Sequence, residues 1–451
     1  MTAALAERRF LLVGLGVTNA AVARALVAHG LEVDLVDDGA GEGPAVLAEE
    51  LGRPLHRAPG PDQLAQLVVR ADAVVPAPGL PERHEVFAAA EAAGRPVLSE
   101  FDLAAAWDDR PVLAVTGTNG KTTVSMLVEQ MLVASGVATA AVGNLEVPLV
   151  AAVEDPAPEC FVVEASSFRL AHSRRFRPRV GTWLNFAEDH LDVHLDLDRY
   201  RDAKARIWSD QGPGDRSVVN AEDAVVAACA PSGTGAEVVR FGLAAQVDGV
   251  PVDYFERDGV LTGPEGDLVP SSELWRALPH DRTNALAAAA TALGGGATLE
   301  GVRTALREFR GLPHRVELVA AADGVRWYDD SKATAPHATL AALSGFDSVV
   351  LVAGGRNKGL DLSVLGGAGD RVRAVVGIGE SGPEVVAAFP GRPSALAGSM
   401  SEAVAAAAGL AGPGDVVLLS PGCASFDWYG SYAERGDDFA RCVRQLTGVS
   451  A

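Results

Sequence analysis

The sequence predicts an α/β protein in which strands and helices alternate along three successive segments. Three observations carry that expectation. Short apolar runs end in glycine turns and feed helix-like stretches, at Arg9–Gly16, at Pro111–Val124 and at Ser348–Gly355. Alternation of this kind produces mostly parallel sheets with helices on both faces. The 451 residues exceed one ordinary core, so the chain must divide. Linker-like residues stand at Asp108-Asp109-Arg110-Pro111 and Phe309-Arg310-Gly311-Leu312-Pro313. The expected domains are therefore residues 1–109, 110–310 and 311–451.

Composition narrows the function. With 48% hydrophobic and 22% charged residues the chain reads as an ordinary globular protein. Its formal net charge of −21 argues against a sequence-independent nucleic-acid binder, which needs a basic surface,. A small anionic ligand is still possible, held by local N–H groups and a few cations. The four cysteines (Cys160, Cys229, Cys423, Cys442) form no CxxC pair, so free thiols in a reducing cytoplasm are expected. No apolar run suits a leader or a membrane span,.

Taken in order, Arg9–Gly16 is a strand running into Gly14-x-Gly16, followed by a helix over Asn19–His29 and a second strand, Glu32–Val36, ending at Asp37 and Asp38. This β-α-β opening is Rossmann-like, with acids where a ribose contact falls. Asn19 stands where a dinucleotide fingerprint has its third glycine, which leaves a dehydrogenase reading poorly supported. Either the domain holds a nucleotide-containing ligand or it keeps the fold alone. Asp72–Gly79 adds a strand, and the sheet region continues to about Trp107.

The central segment opens with PVLAVTGTNGKTTV. A strand delivers Gly117, Thr118, Asn119 and Gly120 to a helix starting at Lys121, Thr122 and Thr123. Backbone N–H groups and the helix dipole there favour an anion. Lys121 supplies a mobile cation for terminal phosphates, and the Thr122 hydroxyl suits a Mg²⁺ bridging them. Val115 stands where the full Walker pattern has glycine, so this is a shorter phosphate loop. Val137–Gly143 is a strand ending at Asn144, and the strand Phe161–Val163 delivers Glu164 at its carboxyl end. Such an end collects ligands in open α/β sheets, and a glutamate there is a natural Mg²⁺ ligand or else a helix cap. After the strand Val180–Asn185, Glu188, Asp189, His190 and Asp192 gather at the same edge. Tyr200–Trp208 reads as a helix in which Lys204, taken alone, is a solvated lysine. Gly233–Leu268 alternates like small hairpins, and His280–Leu293 is a helix with Asn284 near its start.

The third segment pairs strands Val316–Val319 and Val325–Tyr328, then passes through Asp330-Ser-Lys332-Ala-Thr334 into a helix, His337–Leu343. Strands Ser348–Gly355, Arg373–Ile378 and Asp415–Ser420 follow. Lys332, Thr334, Lys358 and Ser425 fall at strand ends and suit a carboxylate-bearing substrate,.

The motifs TGTNGKT, Glu164-Ala-Ser-Ser-Phe, Asn185-Phe-Ala-Glu-Asp-His190, Tyr200-Arg-Asp-Ala-Lys204, Leu312-Pro-His-Arg315, Asp330-Ser-Lys-Ala-Thr334, Gly-Gly-Arg-Asn-Lys358 and Ser420-Pro-Gly-Cys-Ala-Ser425-Phe-Asp together resemble the Mur ligases, most closely the glutamate-adding type. The resemblance runs through essentially the whole chain. It implies a Rossmann-like amino-terminal domain for a UDP-linked substrate, a central P-loop ATPase domain with a parallel sheet and a carboxyl-terminal Rossmann-like α/β domain for an amino acid. The implied chemistry is ATP-driven amide synthesis from UDP-N-acetylmuramoyl-L-alanine and D-glutamate through an acyl phosphate, in peptidoglycan precursor synthesis.

By that resemblance, Thr122 and Glu164 belong to the Mg²⁺ on ATP and His190 to a second Mg²⁺. Lys204 matches a lysine carbamylated by CO₂, whose anion supports the second metal. Lys121, His190, Lys204, Glu164 and Asn144 form the implied catalytic group. Asn284, Arg315 and Asp330 match positions around the nucleotide, together with the phosphate loop. Val17, Thr18, Asp37, Asp38, Gly79, Asn144 and Ser166 match the UDP-substrate side, and Lys332, Thr334, Lys358, Ser425 and Phe426 the glutamate side. A cytoplasmic monomer without nucleic-acid or membrane partners is implied. Gly39, Ala77, Asp281 and Ala335-Pro336 depart from the family's usual residues. Those departures keep open a ligase for L-glutamate or another acceptor, and a nucleotide-binding homologue without turnover is a further alternative. A folylpolyglutamate synthetase fits less well, because those enzymes begin directly at the P-loop domain.

Overall fold

The computed structural model describes residues 8–449; the first seven residues, part of the stretch read for a leader, and the last two lie outside it. The chain forms two compact units, one of Met1–Leu274 with Thr283–Glu308, the other of Trp275–Arg282 with Phe309–Ala451.

The first unit holds two parallel sheets. Strands Arg9–Val13, Glu32–Asp37, Leu55–Arg57 and Ala73–Pro76 form the smaller, with Arg9–Val13 between Glu32–Asp37 and Ala73–Pro76. The larger has six strands in the order Glu237–Phe241, Arg216–Asn220, Val180–Trp183, Val112–Thr116, Cys160–Glu164, Thr139–Gly143. Strands buried on both faces read as continuous apolar runs rather than alternating ones, and VLAVT and CFVVE are of that kind. The apolar core is continuous between the two sheets: Phe10 and Leu12 of one belong to the same cluster as Ala114, Phe161 and Val163 of the other. Phe101 and Phe176 stack within it at 4.3 Å.

Most expected elements are present, with ends shifted by a few residues. One differs in kind. The region read as hairpins begins with Glu237–Phe241, which pairs in parallel with Arg216–Asn220 at the edge of the large sheet. The hairpins come after it, as Gln246–Val247 with Val250–Pro251 and as the three strands from Phe255 to Pro270. Arg216–Asn220 carries no glycine turn at its end, and the helix Leu299–Glu308 follows its neighbour closely, so neither stood out in the sequence.

The second unit contains one six-stranded sheet in the order Glu317–Ala322, Val325–Asp329, Val416–Leu419, Val349–Gly354, Val372–Ile378, Ser394–Ala397. Only the edge strand Glu317–Ala322 runs antiparallel. Two apolar clusters cover its faces, one around Leu351, Val375 and Leu418, the other around Val350, Val417 and Phe439. Among the described residues no helix is long and apolar enough to cross a membrane.

Gly143 ends its strand at φ +97, and a Cβ there would lie 2.6 Å from the Glu164 carbonyl oxygen. Gly143→Ala is therefore expected to cost about 1–3 kcal/mol, read as a lower denaturant midpoint with an unchanged m value.

Candidate active site

Strand order fixes where the site lies. Val112–Thr116 sits between Val180–Trp183 and Cys160–Glu164, so the sheet grows outward on either side of it. The crevice beyond its carboxyl end is the switch point at which open α/β sheets bind ligands. The phosphate loop occupies that end. Gly120, at φ +81, precedes the helix Lys121–Ala134, and a Cβ there would lie 2.7 Å from Asn284 Oδ1. Asn284 thus lies against the loop. Asn185 pins it from the neighbouring strand: its Oδ1 accepts from Asn119 N at 2.8 Å, and its carbonyl accepts from Thr118 N at 3.1 Å.

Two lysines meet at this loop. Lys121 Nζ donates to the carbonyls of Gly117 (2.9 Å) and Thr118 (3.0 Å). Lys204 Nζ donates to the same Gly117 carbonyl at 2.7 Å. Lys204 ends the helix Leu197–Ala205 and is only 1% exposed, with its ammonium 4.6 Å from the Tyr200 ring centre. Burial, reinforced by the Lys121 charge, drives its pKa far below the usual lysine value, although Asp189 and Glu164 pull it back up. Desolvation disfavours a charged amine and is the largest influence on this one,. Read by itself in the sequence this lysine was solvated; the fold buries it.

Glu164 closes its strand, buried, with Oε1 accepting from Asn144 Nδ2 at 2.8 Å. Its Oε2 is buried without a hydrogen-bond partner. A carboxylate oxygen left so is costly unless a cation or donor completes it. Thr122, at the start of the loop helix, and Glu164 therefore fit a Mg²⁺ on a bound triphosphate. Glu164→Gln, which removes that charge, is expected to raise the Mg²⁺ concentration for half-activation. It should also lower kcat/KM about 10²–10³-fold, measured as phosphate release from ATP across a Mg²⁺ titration.

His190 adopts φ 60, a conformation that a histidine holds only when its surroundings enforce it,. Its backbone N donates to Asp189 Oδ1 at 2.8 Å, its Nε2 lies 3.6 Å from Asp189 Oδ2, and its ring meets Phe168 edge-on at 4.7 Å. Asp189 also acts electrostatically on the Lys204 amine, so the acid and the buried lysine share this edge of the loop.

On the amino-terminal sheet, Val17 is exposed and Thr18 nearly buried at the start of the helix Val17–Ala28. Asp37 is already engaged by backbone, its Oδ2 accepting from Leu15 N at 2.7 Å and its Oδ1 from Gly39 N at 2.8 Å. Asp38 pairs with His84 Nε2 at 3.0 Å, and Gly79 is open to solvent. Ser166 is buried and caps the short helix Ser167–Leu170.

In the second unit the carboxyl ends of adjacent strands bring the remaining candidates together. Asp330 N donates to the Leu419 carbonyl at 2.7 Å, and Ser420 Oγ donates to Asp330 Oδ2 at 2.7 Å. Burial lifts the Asp330 pKa to about 7, against the pull of the Ser420 hydroxyl and the Arg315 charge. Lys332 Nζ lies 4.9 Å from the Tyr432 ring centre, Thr334 is half-buried, Lys358 and Phe426 are exposed, and Ser425 is buried.

Two buried arginines escaped the sequence reading. Arg435 is 1% exposed, donating to Ser331 Oγ (2.9 Å), the Ser331 carbonyl (2.8 Å) and the Cys423 carbonyl (3.1 Å). It ties the Lys332 turn to the Ser425 turn. A signal existed: Arg435 shares one helix face with Phe439 and Val443, a charge on an apolar stripe,. Arg169 also makes three side-chain bonds, but its helix, Ser167–Leu170, is too short to show any periodicity.

Residues 115–292 match the model of the Mur ligase middle domain, and residues 314–423 that of the Mur ligase glutamate ligase domain. The chain is 42% identical over 449 residues to a UDP-N-acetylmuramoylalanine–D-glutamate ligase of Desulfosudis oleivorans, covering 98% of this chain and 97% of that one. It is 41% identical over 457 residues to the ligase of the same name from Frankia casuarinae, covering 97% and 94%. The fold is similar to that of a UDP-N-acetylmuramate–alanine ligase from Thermotoga maritima, with a TM-score of 0.57 at 20% identity over 98% of this chain and all of that one. A pseudomurein peptide ligase type C from Methanothermus fervidus matches over the same shares with a TM-score of 0.59 at 17% identity.

Proposed function

The chain belongs to the Mur ligase family, and from that premise we propose that it joins D-glutamate to UDP-N-acetylmuramoyl-L-alanine at the expense of ATP, a step of peptidoglycan precursor synthesis. The observation that carries this reading is the meeting of Lys121, Lys204 and the half-satisfied Glu164 carboxylate around one phosphate loop. Identity above 40% to ligases of that name, over nearly the full chain, supports the choice of substrates.

The difficulty of the first step is that a carboxylate must approach the γ-phosphate, anion against anion. Lys121, mobile above the Gly117 and Thr118 carbonyls, turns to the phosphates and offsets that charge. The loop N–H groups hold the phosphates in place. Mg²⁺, when bound by Thr122 and Glu164, supplies further charge neutralisation. A carboxylate oxygen bonds to the γ-phosphorus as the bond to the bridging oxygen breaks and ADP leaves, and the acyl phosphate so formed carries an activated carbonyl. The neutral glutamate amine attacks that carbonyl, the tetrahedral intermediate collapses with loss of inorganic phosphate, and the amine nitrogen gives up a proton to solvent to become the amide. Lys332, Thr334, Lys358 and Ser425 are proposed to hold the glutamate carboxylates, with Arg435 fixing the two turns that carry them. Arg315, Asp330 and Asn284 are proposed around the nucleotide.

A second metal position is part of the reading. His190 and a carbamate on Lys204 would hold it, and the burial of the Lys204 amine, which disfavours its charged form, supports that modification, since only the free base reacts with CO₂,. The enzyme is proposed to be a cytoplasmic monomer of three domains, divided as the sequence suggests. Phosphate release from ATP is the test. Release that requires both UDP-N-acetylmuramoyl-L-alanine and D-glutamate is expected. Release with L-glutamate in its place would move the specificity to Ala335, Pro336 and the Ser425 turn, and ATP binding without release under any pairing would overturn the reading.

A further inference from the structure

The Arg169 guanidinium connects three segments that are far apart in sequence. Its side chain is 7% exposed. Nε donates to Glu100 Oε1 at 2.8 Å, and the two terminal nitrogens donate to Asn144 Oδ1 at 2.7 Å and to Thr18 Oγ1 at 2.9 Å. Glu100 is more deeply buried still, and its second oxygen accepts from Val150 N at 2.9 Å. Burial raises the Glu100 pKa, and the Arg169 charge and the Val150 N–H oppose the rise.

The consequence lies in the Asn144 amide. A guanidinium can only donate, so the Asn144 oxygen must face Arg169. Its NH₂ group must then face Glu164, where it donates to Oε1 at 2.8 Å. That bond leaves Oε2 as the unmet oxygen. The acceptor-only Glu164 carboxylate selects the NH₂ end as well, so loss of Arg169 removes the donor that holds the amide's oxygen end, and the side chain is no longer held between two partners,. At the other end of the chain of bonds, Thr18 stands in the first turn of Val17–Ala28, beside the exposed Val17. That turn is where the resemblance to the family puts the UDP-linked substrate.

We propose that Arg169 is a positioning residue that couples the nucleotide-sugar turn at Thr18 to the metal-facing carboxylate of Glu164, by fixing the Asn144 amide between them. The inference rests on the ligase reading above. It requires reciprocity: nucleotide-sugar tightens Mg²⁺, and Mg²⁺ tightens nucleotide-sugar by the same factor. Arg169→Lys keeps the charge without the fork of donors that reaches three partners at once, and Arg169→Gln removes the charge.

The test is a Mg²⁺ titration of the full-length protein with a non-hydrolysable ATP analogue, with and without UDP-N-acetylmuramoyl-L-alanine. In the parent the nucleotide-sugar is expected to lower half-saturating Mg²⁺ about tenfold, within the usual range of coupling between sites. Both Arg169 variants should lose that shift. Glu100→Gln with Arg169→Gln removes the buried pair together and keeps the test available if a single variant fails to fold. Arg169 variants that melt lower yet keep the parent's shift would overturn the inference and leave a structural ion pair, as would a parent that binds nucleotide-sugar with no shift. A parent that binds no nucleotide-sugar would instead reject the ligase reading on which the coupling rests.

Discussion

Lys121→Ala is expected to lose phosphate release by about 10³-fold or more, since a cation aimed at the developing charge of phosphoryl transfer is among the largest single contributions to such sites. The loss should fall on kcat, because the Lys121 ammonium rests on the Gly117 and Thr118 carbonyls of its own loop and acts on the phosphates once ligand is bound. Lys121→Arg should restore little. A planar fork cannot take the place of a compact ammonium that sits on two loop carbonyls and pivots to a phosphate. The melting temperature should stay within a few degrees of the parent, as expected for a side chain that is not part of the core. Unchanged turnover in Lys121→Ala would remove the phosphate-loop mechanism.

Lys204 gives the second large effect, with the opposite sign for stability. Lys204→Met fills the same buried space with an apolar chain and is expected to abolish turnover, again by about 10³-fold. It should nevertheless melt at or above the parent temperature, because the desolvated amine is gone. The pH dependence follows from the depressed pKa of Lys204. Between that value and the ordinary lysine value near 10.4, the unfolded chain binds a proton that the folded chain does not, so stability rises with pH across the interval. In CO₂-free buffer the parent should show that rise, and Lys204→Met should show a flatter profile. The carbamate has its own readout. Parent activity should fall on removal of CO₂, return with bicarbonate, and decline as acid protonates the amine. Lys204→Ala should regain activity with a small carboxylate such as formate, which returns an anion to the emptied space. Full activity of Lys204→Met would sink this role.

The sequence made the framework of the site legible because the relevant signals are local. Gly117, Gly120, Lys121 and Thr122 lie within six consecutive positions, and their backbone geometry follows from a strand meeting a helix. Glu164 could be placed at a strand end because CFVVE is apolar on both faces. The edge strand Glu237–Phe241 was less legible: an alternating run suits a hairpin and a sheet edge alike, and only its partner distinguishes them,.

By itself, then, the sequence determined the parallel α/β class, the phosphate loop and the kind of anion it takes, since periodicity, glycine spacing and residue chemistry act over a few neighbours. The tertiary structure decided the state of each charged group. Lys204 reads as a solvated lysine until the fold sets it on the Gly117 carbonyl, 87 positions away, and excludes water from it. Arg169 has no signature until Thr18, 151 positions away, accepts its hydrogen bond. Desolvation and Coulomb interaction depend on what surrounds a group in space, and a sequence pattern reports only what surrounds it along the chain.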